Sequence, residues 1–139
     1  MPLDELMGLI SVVEQEPKFF SNGFIENLKM ANEKIDKEKI FETAKKLGIE
    51  EFVRKLFSRN ISSCKLSKLS GGERKRLGIL RGILKDTPII IMDEPTAFLD
   101  NSTAKIIIEN INKNFKDKTI LIFSHDPIVL DFSDEIIKI

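Results

Sequence analysis

Two carboxylates stand side by side at Asp93-Glu94, directly after the apolar run Ile89-Ile90-Ile91-Met92. Adjacent like charges repel, which is costly unless a positive charge sits nearby. A magnesium ion meets that need. Asp93 can hold it directly or through water, because Mg2+ binds through one or two carboxylates and keeps much of its hydration. Glu94 is then free to polarise an attacking water. The plain alternative is a polar strand terminus.

Ser70-Gly71-Gly72-Glu73 lies about twenty residues upstream. Serine followed three positions later by glutamate is a capping box that opens a helix. The box explains Ser70 and Glu73 but not two glycines in the first turn, where they cost helix stability. Glycines there let an anion approach the N–H groups at the positive end of a helix. Both readings can hold together. His125 is the one histidine of the chain. It comes just after an apolar run and can donate to a phosphate or to the attacking water. Gln15 has the same kind of placement and could reach the metal or that water. Neither persuades alone.

These residues need elements to hold them. Ile10 to Val13 is β-prone and is stopped by Glu14-Gln15-Glu16-Pro17. Ser21-Asn22-Gly23 reads as a turn, and Phe24 to Leu28 starts a short helix. Asp36 to Leu47 has apolar residues at helical spacing and a terminal Gly48. Glu50 to Phe57 is a second helix, and Arg59 to Lys68 a loop. Ser70 opens a helix to about Lys85, with Leu77, Leu80 and Leu84 inward and Arg74, Lys75, Arg76 and Arg81 outward. Ile89 to Met92 reads as a strand buried on both faces. Asn101 or Ser102 caps the next helix, and Thr119 to Phe123 is a second buried strand. Asp126 caps a short helix with Pro127 at its first position. Ile136 to Ile139 is the last strand.

Strand–helix–strand alternation predicts an α/β fold, a parallel sheet covered by helices. Ligands gather at the carboxyl ends of such strands. Gln15, Asp93, Glu94 and His125 each lie just past a predicted strand, so all four belong to one edge of the sheet.

The 139 residues fit one domain, and 42% of them are apolar, enough for a core. Lys and Arg number 22 and so do Asp and Glu. The balance argues against a free-standing nucleic-acid binder. Arg74-Lys75-Arg76 is too short a cluster to reverse that. The single Cys64 cannot form an internal bridge. No apolar run approaches the roughly 20 residues of a membrane span, and the first residues lack a signal peptide's pattern. A soluble, cytoplasmic chain is expected, able to dock at the cytoplasmic face of a membrane.

In combination these motifs resemble the nucleotide-binding domain of ABC transporters, exporter-like in the region after Gln15. Val13-Glu14-Gln15-Glu16-Pro17 looks like the Q-loop. Phe19-Phe20 and Phe24 to Leu28 resemble the stretch next to the Q-loop in exporters. Leu69-Ser70-Gly71-Gly72-Glu73 matches the signature motif and Ile89 to Glu94 matches Walker B. Phe98-Leu99-Asp100 resembles the D-loop and Ser124-His125 the H-loop. The likeness runs from Ile10 to Ile139.

The resemblance implies a partial P-loop NTPase sheet within a single domain, 1–139. About 19–68 would be the helical subdomain, and 1–18 with 69–139 the rest of the α/β core. It implies ATP and Mg2+ as cofactors, with Glu94 and His125 catalytic and Asp93 and Gln15 at the metal. Two such domains pair head to tail. Ser70, Gly71 and Gly72 then hold the γ-phosphate of the partner's nucleotide, and Asp100 couples the two sites. A transmembrane subunit or domain is the other partner; nucleic acid is not expected.

One departure stands out. A P-loop reads Gly-x-x-x-x-Gly-Lys-Ser/Thr, and none of the seven glycines precedes a lysine. The family's P-loop lies upstream of the Q-loop, so the chain looks like the carboxyl-terminal two-thirds of the domain, truncated. Most triphosphate affinity is expected to be missing. A remnant that pairs with an intact ATPase subunit is the alternative. Half of a DNA-repair ATPase head is a third reading, disfavoured by the short Gln15-to-Leu69 interval. In the family the P-loop strand lies between the H-loop strand and the last strand. Without it, Thr119–Phe123 and Ile136–Ile139 are expected to pair with each other or with another copy.

Overall fold

Three short apolar runs build one parallel sheet in the computed structural model, which describes residues 1–20, 23–59 and 66–139. They are β1 (Ile10–Val13), β2 (Ile89–Asp93) and β3 (Thr119–Phe123), in the order β1-β2-β3. Val13 lies beside Met92, and Met92 beside Ile122. The sheet and its helices make an α/β fold, as expected.

The helices are α1 (Leu3–Leu9), α2 (Phe24–Lys29), α3 (Lys37–Leu47), α4 (Glu50–Arg59), α5 (Gly71–Leu84), α6 (Asn101–Asn114) and α7 (Pro127–Asp131). Asp36 caps α3 through the Lys39 N–H, and Gly48 ends it in the left-handed conformation. Helix α3 packs on both α5 and α6. One continuous apolar core runs from Val13 through Leu28, Leu47 and Leu80 to Ile107 and Val129. Helix α5 lies tight on β1. A Cβ at Gly82 would run into the Val13 side chain, and one at Gly78 into Pro17. The Ser11 hydroxyl donates to the Gly82 carbonyl at 2.7 Å, closing the contact.

Several expectations are corrected. The strands are not buried on both faces. Ser11, Val13, Ile90 and Met92 are buried, but Val12, Leu121 and Phe123 are 58%, 49% and 54% exposed. Register puts these last three on the alternate side of the pleat. Ile136–Ile139 is not a strand, and Ile137 is 75% exposed. A strand needs a backbone partner, and β3 does not pair with this segment. The cap of α6 is Asp100, not Asn101 or Ser102; its carboxylate accepts from the Thr103 N–H. Helix α1 has no counterpart in the sequence reading. Its acidic first turn, Asp4 and Glu5, favours a helix start, and the Lys85 ammonium donates to the Met7 and Ile10 carbonyls where it ends. Most of the expected Arg59-to-Lys68 loop, with Cys64, and much of the Ser21-Asn22-Gly23 turn lie outside the described residues.

Candidate functional site: the strand ends and the diglycine helix start

Parallel strands in register end level with one another. Gln15 lies two residues past Val13, Glu94 two past Met92, and His125 three past Ile122, and those three strand residues are side by side. Gln15, Asp93 and His125 are exposed, and Glu94 is half-buried. Neighbouring strands sit about 4.8 Å apart, so three of them span roughly 10 Å.

The loops past β2 and β3 are tied together. The Glu94 N–H donates to the Phe123 carbonyl at 2.9 Å. The Ser124 hydroxyl donates to a Glu94 carboxylate oxygen at 3.4 Å and accepts from the Asp126 N–H at 3.0 Å. Asp126 also accepts from the Thr96 hydroxyl at 2.6 Å and caps α7 through Ile128. Glu94 is therefore held beside the loop that carries His125. It has φ of 46°, a left-handed conformation that costs a non-glycine residue about 1–2 kcal/mol. Such strain gathers at functional sites.

Helix α5 opens with the full capping box. The Ser70 hydroxyl accepts from the Glu73 N–H at 3.1 Å, and Glu73 accepts from the Ser70 N–H at 3.1 Å. Its carboxyl is held below the ordinary range, first by that Ser70 N–H, against burial, with the Ser70 hydroxyl and Arg59 adding to the pull. The two glycines have a structural reason of their own. A Cβ on Gly71 would lie 3.1 Å from the Phe98 ring, and one on Gly72 2.9 Å from the Phe98 carbonyl oxygen. Phe98 thus lies across the helix start, at φ 69° and 58% exposed. Nothing in the sequence marks that role. A cleft of about 350 Å3 remains there, lined by Ser70, Gly71, Gly72, Arg76 and Asp100 among others. Asp100 puts a carboxylate in it, held low by the Thr103 N–H; Arg76 puts a guanidinium.

Lys75 is the residue that sequence reasoning places wrongly. Its expected position is the outer face of α5, yet it is 0% exposed. Its ammonium donates to the carbonyls of Gln15 at 2.8 Å, Glu14 at 3.1 Å and Asp93 at 3.3 Å. Burial lowers its pKa, and the Asp93 and Glu94 charges act to raise it. The expected solvated arginine face is also half-covered: the Arg76 guanidinium lies over the Phe52 ring and that of Arg81 over Phe19. A signal exists. Lys75, Gly78 and Gly82 recur at i, i+3 and i+7, the stripe on which α5 meets Val13 of β1 and the segment of residues 14–17 past it.

As to a metal, no group of three or more His, Cys, Asp or Glu converges among the described residues. These residues do not cage a cation by themselves. One exposed carboxylate, Asp93, with Gln15 at the neighbouring strand end fits Mg2+ held jointly with phosphates, which is how that ion is usually bound.

A parallel α/β sheet here carries polar residues at its strand ends, the edge where the ligands of such sheets gather, together with a capped glycine helix start. The ABC transporter family model matches residues 3–97, and the chain belongs to that family. It is similar to ABC transporter B family member 13 of Arabidopsis thaliana, 34% identical over 88% of this chain and 10% of that protein. It is also similar to the glutathione/L-cysteine transport system ATP-binding/permease protein CydD of Bacillus subtilis, 31% identical over 96% of this chain and 24% of that one. A solved structure of a bacterial Atm1-family ABC exporter with ATP bound shares the fold, at TM-score 0.75 and 24% identity, over 88% of this chain and 22% of that chain. The chain thus spans a tenth to a quarter of the length of these relatives. No described helix is long and apolar enough to cross a membrane.

Proposed function

We propose that this chain supplies the Walker B and signature-motif part of the ATP-hydrolysing domain of an exporter-like ABC transporter, working at the cytoplasmic face of a membrane. The observation that carries the reading is the common level of the three strand ends. Asp93 and Gln15 would hold Mg2+, and His125 would donate to the terminal phosphate or to the water. Glu94, oriented by the Ser124 hydroxyl, would take the proton of the attacking water. Bound ATP with its metal supplies the phosphoryl group and the compensating charge.

Ser70, Gly71 and Gly72 would serve the γ-phosphate held by a second domain in a head-to-tail pair, with Asp100 coupling the two sites. Residues about 19–68 would be the helical subdomain that, with the Q-loop, meets a transmembrane partner. The similarity to CydD, an ATP-binding/permease protein, supports that direction.

A second reading rests on the open cleft lined by Ser70, Gly71 and Gly72. Here the chain is a non-catalytic module that lends its Ser70–Gly72 surface to an intact ATPase subunit. Magnesium-dependent ATP hydrolysis separates the two. Turnover by the chain alone, abolished by Glu94→Gln, supports the first. No turnover alone, but a Ser70-dependent change in the turnover of an added intact subunit, supports the second. Neither effect rejects both.

A further inference from the structure

Lys75 is the one charged side chain among the buried described residues. An ammonium has three N–H donors, and three carbonyls take them: Glu14 and Gln15 past β1, and Asp93 at the end of β2. Its stem rises from α5, five residues after the Ser70 cap. No carboxylate of the described residues forms an ion pair with it. The charges facing it through space are Asp93 and Glu94.

A buried cation without a contacting anion is costly unless its hydrogen bonds are complete. Here they are complete, and all go to backbone at the candidate site. An apolar residue could fill the same space but could not join those carbonyls. The fastening therefore sets the separation of the Gln15 segment from Asp93, and it sets both relative to the helix that starts at Ser70. It also places a resident positive charge behind the adjacent acidic pair, whose repulsion needs an answer whether or not a metal is bound.

We propose that Lys75 is a positioning residue. Its buried ammonium clasps the ends of β1 and β2 to helix α5, holding Gln15 and Asp93-Glu94 in their relative places before any ligand arrives. The clasp is a property of the folded chain, and its purpose rests on the proposed nucleotide site.

The test begins with the unmodified chain. Nitrogen-15 spectra should show a Lys75 ammonium signal near neutral pH, its protons slowed in exchange by three hydrogen bonds, while exposed Lys37 and Lys39 show none. In Lys75→Met, amide exchange at Val13 and Glu94 should quicken tenfold or more, with Ile107 and Ile108 in α6 unchanged. Lys75→Gln, which keeps a neutral donor, should recover part of that protection.

An ammonium exchanging as fast as the surface lysines overturns the proposal. So does a Lys75→Met chain whose Val13 and Glu94 amides stay within twofold of the original. If Lys75→Met loses protection throughout, the ammonium signal decides alone. Manganese broadening keeps the functional reading separate. Selective broadening at Asp93, Glu94 and Gln15 supports a metal at the strand ends, and in Lys75→Met it should persist at Asp93 but fade at Gln15. Its absence in the unmodified chain sinks the site reading while leaving the clasp in place.

Discussion

Leu80 on α5 and Leu121 on β3 are the same residue in opposite surroundings. Leu80 is 0% exposed, and Leu121 is 49% exposed. Around Leu80 the molecule is saturated. On the opposite face of α5, Gly82 meets Val13 of β1 and Gly78 meets Pro17 beyond it, and Ser11 and Lys75 satisfy the carbonyls at that contact. Around Leu121 the described residues leave one sheet face and one strand edge open, with Phe123 also outward. The strands on the two sides are comparably apolar. What separates them is whether a helix with small residues comes close enough to cover the face. Burial is here a property of the partner more than of the strand.

The contrast is broken most directly by trimming both leucines. Leu80→Ala should cost about 2–5 kcal/mol, the range for emptying a packed core position. Leu121→Ala should change stability by no more than about 0.5 kcal/mol, as at an ordinary surface position. Urea unfolding measures both. A large loss at Leu121 would mean that the open face is covered in solution, and a concentration-dependent midpoint would identify a second copy as the cover.

A finer contrast lies within α5. Gly71 meets a side chain of Phe98, and Gly72 meets its backbone oxygen. A ring can turn aside, whereas a carbonyl in a tight loop cannot. Gly72→Ala should therefore destabilise by about 1–2 kcal/mol through overpacking. Gly71→Ala should stay within about 0.5 kcal/mol, its clash offset by better helix propensity. The reverse order in thermal unfolding would show that the loop after β2 does not cross the helix start as described.

These glycines also show which features a sequence can display and which it cannot. Asp36, Gly48, Ser70 with Glu73, and Asp126 with Pro127 announce their helix boundaries, because capping is local chemistry written in neighbouring residues. The level strand ends are legible in the alternation, since parallel strands must share an edge. Phe98 is not legible. Its left-handed backbone is unusual for an aromatic, and only the tertiary fold imposes it. Lys75 misleads because charge ordinarily signals solvent. On the stripe it shares with Gly78 and Gly82, its long stem reaches inward to backbone carbonyls that no sequence pattern displays. The last segment fails differently. Ile136–Ile139 has strand composition, but composition supplies no hydrogen-bonding neighbour.

Capping sets a smaller energy scale than packing, and it can be switched by acid. Ser70→Ala should cost about 1 kcal/mol, the usual loss for a helix cap. Glu73 completes the same box, with its pKa below the ordinary 4.5 because the Ser70 N–H donates to the charged form. In that window the unfolded chain holds more protons than the folded one. The stabilisation is therefore fully present above about pH 4.5 and is lost as pH falls through the lower folded value. Glu73→Gln cannot titrate and should lack this part of the slope. The stability gap between the original chain and Glu73→Gln should be widest near pH 6 and should shrink steadily on acidification. Urea midpoints through the acid range read this directly. A gap that stays constant would show that the Glu73 carboxylate does not close the box in solution, leaving Ser70 alone to order the helix start on which the proposed contact with a partner's phosphate depends.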